Sequence, residues 1–285
     1  MATEDLPRRV AALETRVTTL EAAVTAAGLG AVASNYPEPL AVPLARAVAA
    51  RFHHEKFFSL LDAGEVLVQY TGVIAIALSR AAGRQILVRE EFKRPVSLGR
   101  WAELVRQILA WNGFATSTIG QKVKSSLVRQ NGRPTSSGRY FFDEFISIRN
   151  RERGHGSSLP EQAYEALYLR NKDQLHDALE SCDYLKYTLA RVEAVDVTTE
   201  PISYDVRLLV GSATLNRTAR IQSTAKIPVE AVCIWDGSEQ LLNLGDLVMY
   251  RVCPTCHLEH TFFLEKWAGE VRHYHSYVGN HRLQI

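Results

Sequence analysis

Three observations predict an α+β chain. Apolar residues follow a heptad seam at the N-terminus, keep helical spacing from about residue 40 to 194, and alternate with period two from about Val195. They divide the 285 residues into a coiled-coil dimerisation helix over 1–30, a helical domain over 36–194 and a small, mostly antiparallel β domain over 195–285. The 33 Lys and Arg against 31 Asp and Glu leave a net charge of +2, which excludes a polybasic nucleic-acid tail. Any RNA contact must therefore come from a local cluster.

Leu6, Val10, Leu13, Val17, Leu20 and Val24 recur with steps of four and three. Valine at a with leucine at d favours two parallel strands, and Arg9 with Glu14 and Arg16 with Glu21 supply the flanking pairs between chains. Gly28, Gly30 and Asn35-Tyr36-Pro37-Glu38-Pro39 then read as a linker. Helical spacing follows over Leu40 to Leu61, Glu65 to Arg80 and Ser97 to Trp111, with a short helix over Gln121 to Gln130. A further helix is expected from about Ser137 to Arg151. After the Gly154-His155-Gly156 break, one long helix is expected from Pro160 to Ala194, with an inner stripe that includes Cys182, Leu185 and Leu189.

The expected strands are Tyr204 to Val210, Arg217 to Thr224, Val229 to Trp235, Leu247 to Val252, Thr261 to Trp267 and Val271 to Val278. Turns fall at Asp236-Gly237 and Ala268-Gly269. Four cysteines are too few for a secreted disulfide framework and fit a cytoplasmic location. No membrane segment is expected, because the apolar run Val66 to Leu78 carries Gln69 and Thr71 and is short for a bilayer.

The chemistry concentrates at Phe141 to Gly156. Phe142, Ile146 and Arg149 share one helical face, so a guanidinium is delivered from the end of an apolar stripe. Asn150 follows it, and His155 sits between two glycines that let the chain turn back. Ser158-Leu159-Pro160-Glu161 has the form of a capping box, so an anion-attracting helix N-terminus is expected just beyond His155. A cation, an amide, an imidazole and a helix dipole are the parts needed to hold a phosphodiester and move a proton on it. This set favours RNA cleavage by the substrate's own 2′-hydroxyl, with no cofactor for catalysis.

Arg149-Asn150, four further residues and His155, placed at a break between helices, resemble the Arg-x(4–6)-His motif of the HEPN superfamily. The resemblance covers roughly 36–194. With the β domain the chain looks like standalone bacterial HEPN proteins that carry a cysteine pair and end near a Gly-His. It implies an all-α dimeric bundle and an endoribonuclease role in antiphage defence or toxin systems. It also implies a composite site in which Arg149, Asn150 and His155 of two protomers face each other, at least a homodimer, and a regulatory or trigger protein. Arg151 and Arg153 continue the positive cluster and are candidates for holding neighbouring RNA phosphates. A non-catalytic HEPN nucleotide-binding or protein-interaction module is the alternative. Arg170-Asn171 and His176 repeat the spacing, but inside an uninterrupted helix they lie about 240° apart and point to separate faces.

Cys253-Pro254-Thr255-Cys256 is half of a zinc site. Folding the next hairpin about Ala268-Gly269 sets Cys256 opposite His281, the best third ligand, while His257, His260 and His275 compete for the fourth place. A structural zinc ribbon, a zinc-free ribbon and a redox pair are the readings the cysteines admit.

Overall fold

A computed structural model describes residues 33–84, 88–154, 159–212, 217–238 and 240–285. The expected coiled coil over 1–30 and His155 lie outside the described residues. The chain is mixed α+β, with helices followed by two antiparallel sheets.

The first helix, α1 (Glu38–Ala49), begins inside the stretch expected to be a linker. Tyr36 is buried there, Pro37 bridges to Val210, and Glu38 donates its backbone N–H to Leu209 O at 2.9 Å. The prolines therefore start a helix instead of forming a tether, consistent with the tolerance for proline in a first helical turn. A break at residues 50–52 leads into α2 (His53–Ala81), so the division expected near residues 62–64 is absent. α2 is long and apolar enough to cross a bilayer, but 89% of its apolar window is buried within the protein, which makes it the central core helix.

Hydroxyl caps open the next helices, the first at Ser97 as expected and the second three residues before the expected Gln121. Ser97 caps α3 (Leu98–Leu109), Ser117 caps α4 (Thr118–Leu127), and Thr135 caps Ser136–Arg139. The last runs on through Tyr140–Glu144 and Phe145–Gly154 as one helical rod, α5, over residues 136–154. Tyr140–Glu144 is a π-turn, in which Phe145 N–H bonds to Tyr140 O. The extra residue it holds separates Phe142 from the stripe expected to deliver Arg149. Phe142 packs under Arg106, whose guanidinium carbon is 4.8 Å from the ring centroid, and Phe145 is the apolar residue one turn before Arg149. Phe145 lies directly on Gly64 of α2, where a Cβ would meet the ring edge.

α6 (Glu161–Glu180) is shorter than the helix expected to reach Ala194. A single 3₁₀ turn, Asp183–Lys186, passes the chain into β1 (Thr188–Asp196). Cys182, Leu185 and Leu189 are all buried, yet each belongs to a different local structure. Their spacing of three and four imitates a helix, while the pairing of β1 with two other strands decides the outcome.

The first sheet joins β1, β2 (Ile202–Leu208), β3 (Arg217–Ser223), β4 (Val232–Trp235) and β5 (Leu241–Asn243) in the order β3-β2-β1-β4-β5. The second runs β6 (Val248–Val252), β7 (Glu259–Ala268), β8 (Val271–Ser276) and β9 (His281–Gln284) in sequence. The helices and β6 to β8 share one apolar core that includes Phe57, Val66, Phe262, Phe263, Tyr274 and Tyr277. Val192, Tyr204, Val206, Ile221 and Cys233 form a smaller core in the first sheet.

Glu38, at the start of α1, accepts a hydrogen bond from Thr261 Oγ1 of β7. Burial pushes its carboxyl up to about 7, against the Thr261 bond and with help from Glu259. The folded state therefore holds this proton more tightly than the unfolded chain. Its stabilising contribution is full below about pH 4.5 and is lost as the pH rises through about 7. Urea denaturation of wild type and Glu38→Gln is expected to show this as a difference. From pH 5 to 8 wild type should lose about 2–3 kcal/mol relative to the variant, whereas parallel stability curves would contradict it.

Candidate functional site

The C-terminal turns of α5 lie against the first half of α2, which presents Asp62 and Glu65 one turn apart. Arg149 donates Nε to Glu65 Oε1 at 2.9 Å, and Arg153 reaches the same oxygen with Nη1 at 3.1 Å. Arg153 Nη2 also bonds Asp62 Oδ1. Arg46 of α1 lies 3.9 Å from Asp62 and donates Nη2 to the Tyr277 and Val278 carbonyls at 2.8 and 2.7 Å. The second Glu65 oxygen accepts from the Tyr277 hydroxyl at 3.3 Å, and that hydroxyl accepts from Gln69 Nε2 at 2.8 Å.

Glu65 is thus a buried side chain whose two oxygens meet three donors, so its polar atoms are satisfied inside the protein. Burial pushes the Asp62 carboxyl up, with Arg153 and Arg46 opposing. Burial and the charges of Glu65 and Asp62 hold the Tyr277 hydroxyl far above its ordinary range, so it remains a neutral donor.

Arg149 keeps a third of its side chain exposed. Because Nε makes the bond to Glu65, the outer edge of the guanidinium, Nη1 and Nη2, is left for another acceptor. Among the described residues its contact on that edge is a long 3.5 Å approach to Asn150 Oδ1. Arg151 is exposed and pairs with Glu152 at 2.7 Å. Arg153, expected to hold RNA phosphates, is paired with both Asp62 and Glu65. α6 starts at Glu161 with Pro160 as its N-cap and no side-chain cap, and Ser158 of the expected capping box lies outside the described residues. Glu161 instead accepts the His53 backbone N–H and approaches His54 Nδ1 at 3.3 Å, closing the N-terminus of α2. Its carboxylate in the first turn of α6 works against anion binding at that end. Arg170 and His176 lie within the uninterrupted α6, as the spacing argument requires.

No family model, curated protein or solved structure matches this chain. Function must therefore be argued from the chemistry of the two side-chain clusters.

The second cluster gathers Cys253, Cys256, His260 and His281, whose ligand atoms all lie within 4.8 Å of one another. Cys256 Sγ is 2.9 Å from His260 Nε2, and Cys253 Sγ is 3.3 Å from His281 Nδ1. The turn after β6 closes through His257 N–H to Cys253 O at 2.9 Å, with His257 at φ 61° and its ring exposed. His275 meets Asn280 Oδ1 at 2.9 Å, so His260 takes the fourth place. The predicted hairpin register is off by one in its middle, where Phe263 faces His275. A bulge between Leu264 and Lys266 shifts it again. His281 is on β9, paired with Ser276, and reaches the cysteines by way of the turn over residues 277–280. Asn280 at φ 53° makes that turn, a conformation asparagine adopts at low cost.

The donors suit a soft metal ion. Burial would raise the Cys253 thiol, but the backbone N–H groups of Cys256 and Thr255, then the Cys256 and His281 side chains, bring it down to about 7. Burial and then His281 hold His260 below its ordinary range, in the neutral ligand form. A Cβ at Gly279 would stand 2.8 Å from His281 Nδ1 and 3.2 Å from His260 Nε2, so the space beside the cluster requires glycine. By contrast, burial pushes the Cys182 and Cys233 thiols up to about 12, and they serve as core residues.

Sequence reasoning missed Arg46, Asp62, Glu65, Gln69 and Tyr277. The available signal was the pair Asp62 and Glu65, spaced to share a face within an otherwise apolar helix.

Proposed function

We propose that the chain is an endoribonuclease of the HEPN kind, acting as a dimer in bacterial defence or growth arrest, with Arg149, Asn150 and His155 as its working residues. The observation that carries this reading is Arg149, held through Nε on a buried acid, while among the described residues its outer fork has only the long 3.5 Å approach to Asn150 Oδ1. Three arginines, Arg46, Arg149 and Arg153, meet two carboxylates, Asp62 and Glu65, which leaves the cluster positive. A guanidinium fixed in this way suits bidentate contact with a phosphate. Both carboxylates are already paired with arginine, so they are poorly disposed to hold a divalent cation for hydrolysis.

In this reading Arg149 stabilises the charge that develops on the phosphorus oxygens as the RNA 2′-hydroxyl attacks. His155 of one protomer takes the hydroxyl proton, and its counterpart protonates the leaving 5′-oxygen. Asn150 orients the phosphate, and Arg151 neutralises a neighbouring one. The described residues around Arg149 supply the rigid backing.

Cys253, Cys256, His260 and His281 are proposed to hold a zinc ion. Four protein donors fill a tetrahedral site, so zinc would supply folding energy and order and not an open catalytic position.

The second reading is phosphate binding without turnover, and it is favoured by the pairing of Arg149 and Arg153 with Asp62 and Glu65, which holds the arginines in place while offsetting part of their charge. Both are tested by mixing pure protein with cellular RNA in buffer lacking magnesium and manganese, beside Arg149→Ala and His155→Ala. The ribonuclease reading expects cleavage by wild type and a loss of at least about 100-fold in each variant. Tight RNA binding without cleavage would select the second reading. Equal cleavage by all three proteins would overturn the assignment of these residues.

A further inference from the structure

The two clusters are joined by one short piece of chain. Between Ser276, the last residue of β8, and the metal-ligand candidate His281, the chain runs through Tyr277, Val278, Gly279 and Asn280. At one end of that turn Gly279 packs against His281 and His260. At the other end the turn makes its contacts with the arginine cluster. The Tyr277 and Val278 carbonyls receive Arg46, and the Tyr277 hydroxyl lies between Gln69 and Glu65.

The Tyr277 ring is fixed as well. It is buried, with edge contacts to His275 at 4.5 Å and Phe263 at 6.5 Å between centroids. Its hydroxyl therefore has little freedom once the turn is in place. Of the two Glu65 oxygens, one holds Arg149 and Arg153 and the other accepts from Tyr277. Glu65 can be rotated only by disturbing both sides.

We propose that Tyr277 is a positioning residue through which metal bound at Cys253, Cys256, His260 and His281 sets Glu65, and so aims Arg149. This rests on the reading of Arg149 as the phosphate-binding group and of the cysteine cluster as a zinc site. Metal binding orders the 277–281 turn, the turn fixes Tyr277, and Tyr277 holds the carboxylate that orients the guanidinium. Loss of metal would let the turn relax and leave Arg149 misaimed without removing any residue from the site.

Linkage makes the coupling reciprocal, so it can be read at the metal without any RNA. Zinc affinity is measured on the full chain by competition with a chromophoric chelator, for wild type, Tyr277→Phe, Glu65→Gln and Arg46→Gln, each shown by circular dichroism to be folded. None of the three altered residues is in the proposed ligand set. Wild type is expected to bind about one zinc per chain, and each variant to bind it roughly 5- to 50-fold more weakly. The Tyr277→Phe/Glu65→Gln double variant should be little weaker than the worse single one, because both act on one bond. Arg46→Gln, at a partly exposed side chain, carries the test if Tyr277→Phe fails to fold.

Affinities within about twofold of wild type in the folded variants would overturn the proposal, as would a folded wild type that binds no zinc. A second arm follows cleavage by zinc-saturated Tyr277→Phe. A fall of about tenfold in kcat with KM unchanged is expected of a positioning residue. If wild type never cleaves RNA while the zinc affinities shift as expected, the link stands and the ribonuclease reading fails.

Discussion

Gly64→Val is expected to destabilise the fold by about 3 kcal/mol and to lower RNA cleavage by about 100-fold. Gly64 sits between Asp62 and Glu65 in sequence, and the Phe145 ring edge occupies the space where its Cβ would be. Phe145 is one helical turn before Arg149. The close approach of α5 to α2 at Gly64 therefore sets the reach of Arg149 to Glu65. The Phe145 ring and Gly64 are both buried, so a valine side chain can be fitted only by moving α5 outward. Gly99→Ala is the control. It also lies in a helix, but nothing stands within 4 Å of the position of its Cβ. It should gain up to about 1 kcal/mol from helix propensity alone. Thermal denaturation separates the two, at roughly 2–4 °C per kcal/mol for a chain of this size. Equal melting temperatures for Gly64→Val and wild type would show that the approach of the helices is not what sets the site.

Arg149→Lys is expected to lower kcat by about 100- to 1,000-fold while leaving stability nearly unchanged. In the proposed reading the guanidinium performs two tasks at once, with Nε on Glu65 and the outer nitrogens offered to the substrate. An ammonium keeps the charge opposite Glu65 but has no second edge to offer. If it stays on the buried carboxylate, the phosphate loses its partner. If it turns to the phosphate, Arg153 is the one cation left beside Glu65 among the described residues. Steady-state kinetics with a defined oligoribonucleotide measures the loss. A variant within about threefold of wild type would mean that charge alone is needed and that the anchored fork is not.

How far these features are legible in the sequence depends on the range of the interaction that forms them. Ser97 announces its helix by bonding to an amide three residues away, and that helix starts where the sequence places it, whereas the helix capped by Ser117 begins three residues before the expected Gln121. The strands from Arg217 and Val248 declare themselves by local alternation. β1 does not, because Cys182, Leu185 and Leu189 continue helical spacing across the end of α6 and only its two strand partners decide its form. β5 and β9, with three and four residues, are too short for a period to show. The π-turn at Tyr140–Glu144 is a change of hydrogen-bond step that leaves no mark in apolar spacing.

The same distinction holds at the sites. The arginine motif and the cysteine pair are local and readable, and His281 follows from a hairpin argument even though the register differs. Choosing His260 over His257 requires the φ of 61° that turns His257 outward. The partner of Arg149 lies 84 residues away, and Tyr277 lies 212 residues from Glu65. No spacing rule connects residues that far apart, whereas the fold brings them within hydrogen-bond distance.

The most direct test of the central claim is the chemistry of the ends left on RNA cut by the wild-type protein in buffer without added divalent cations. Attack by the 2′-hydroxyl, with Arg149 on the phosphate and His155 moving the proton, leaves 2′,3′-cyclic phosphate and 5′-hydroxyl ends. Ends carrying a 3′-hydroxyl and a 5′-phosphate would contradict the account.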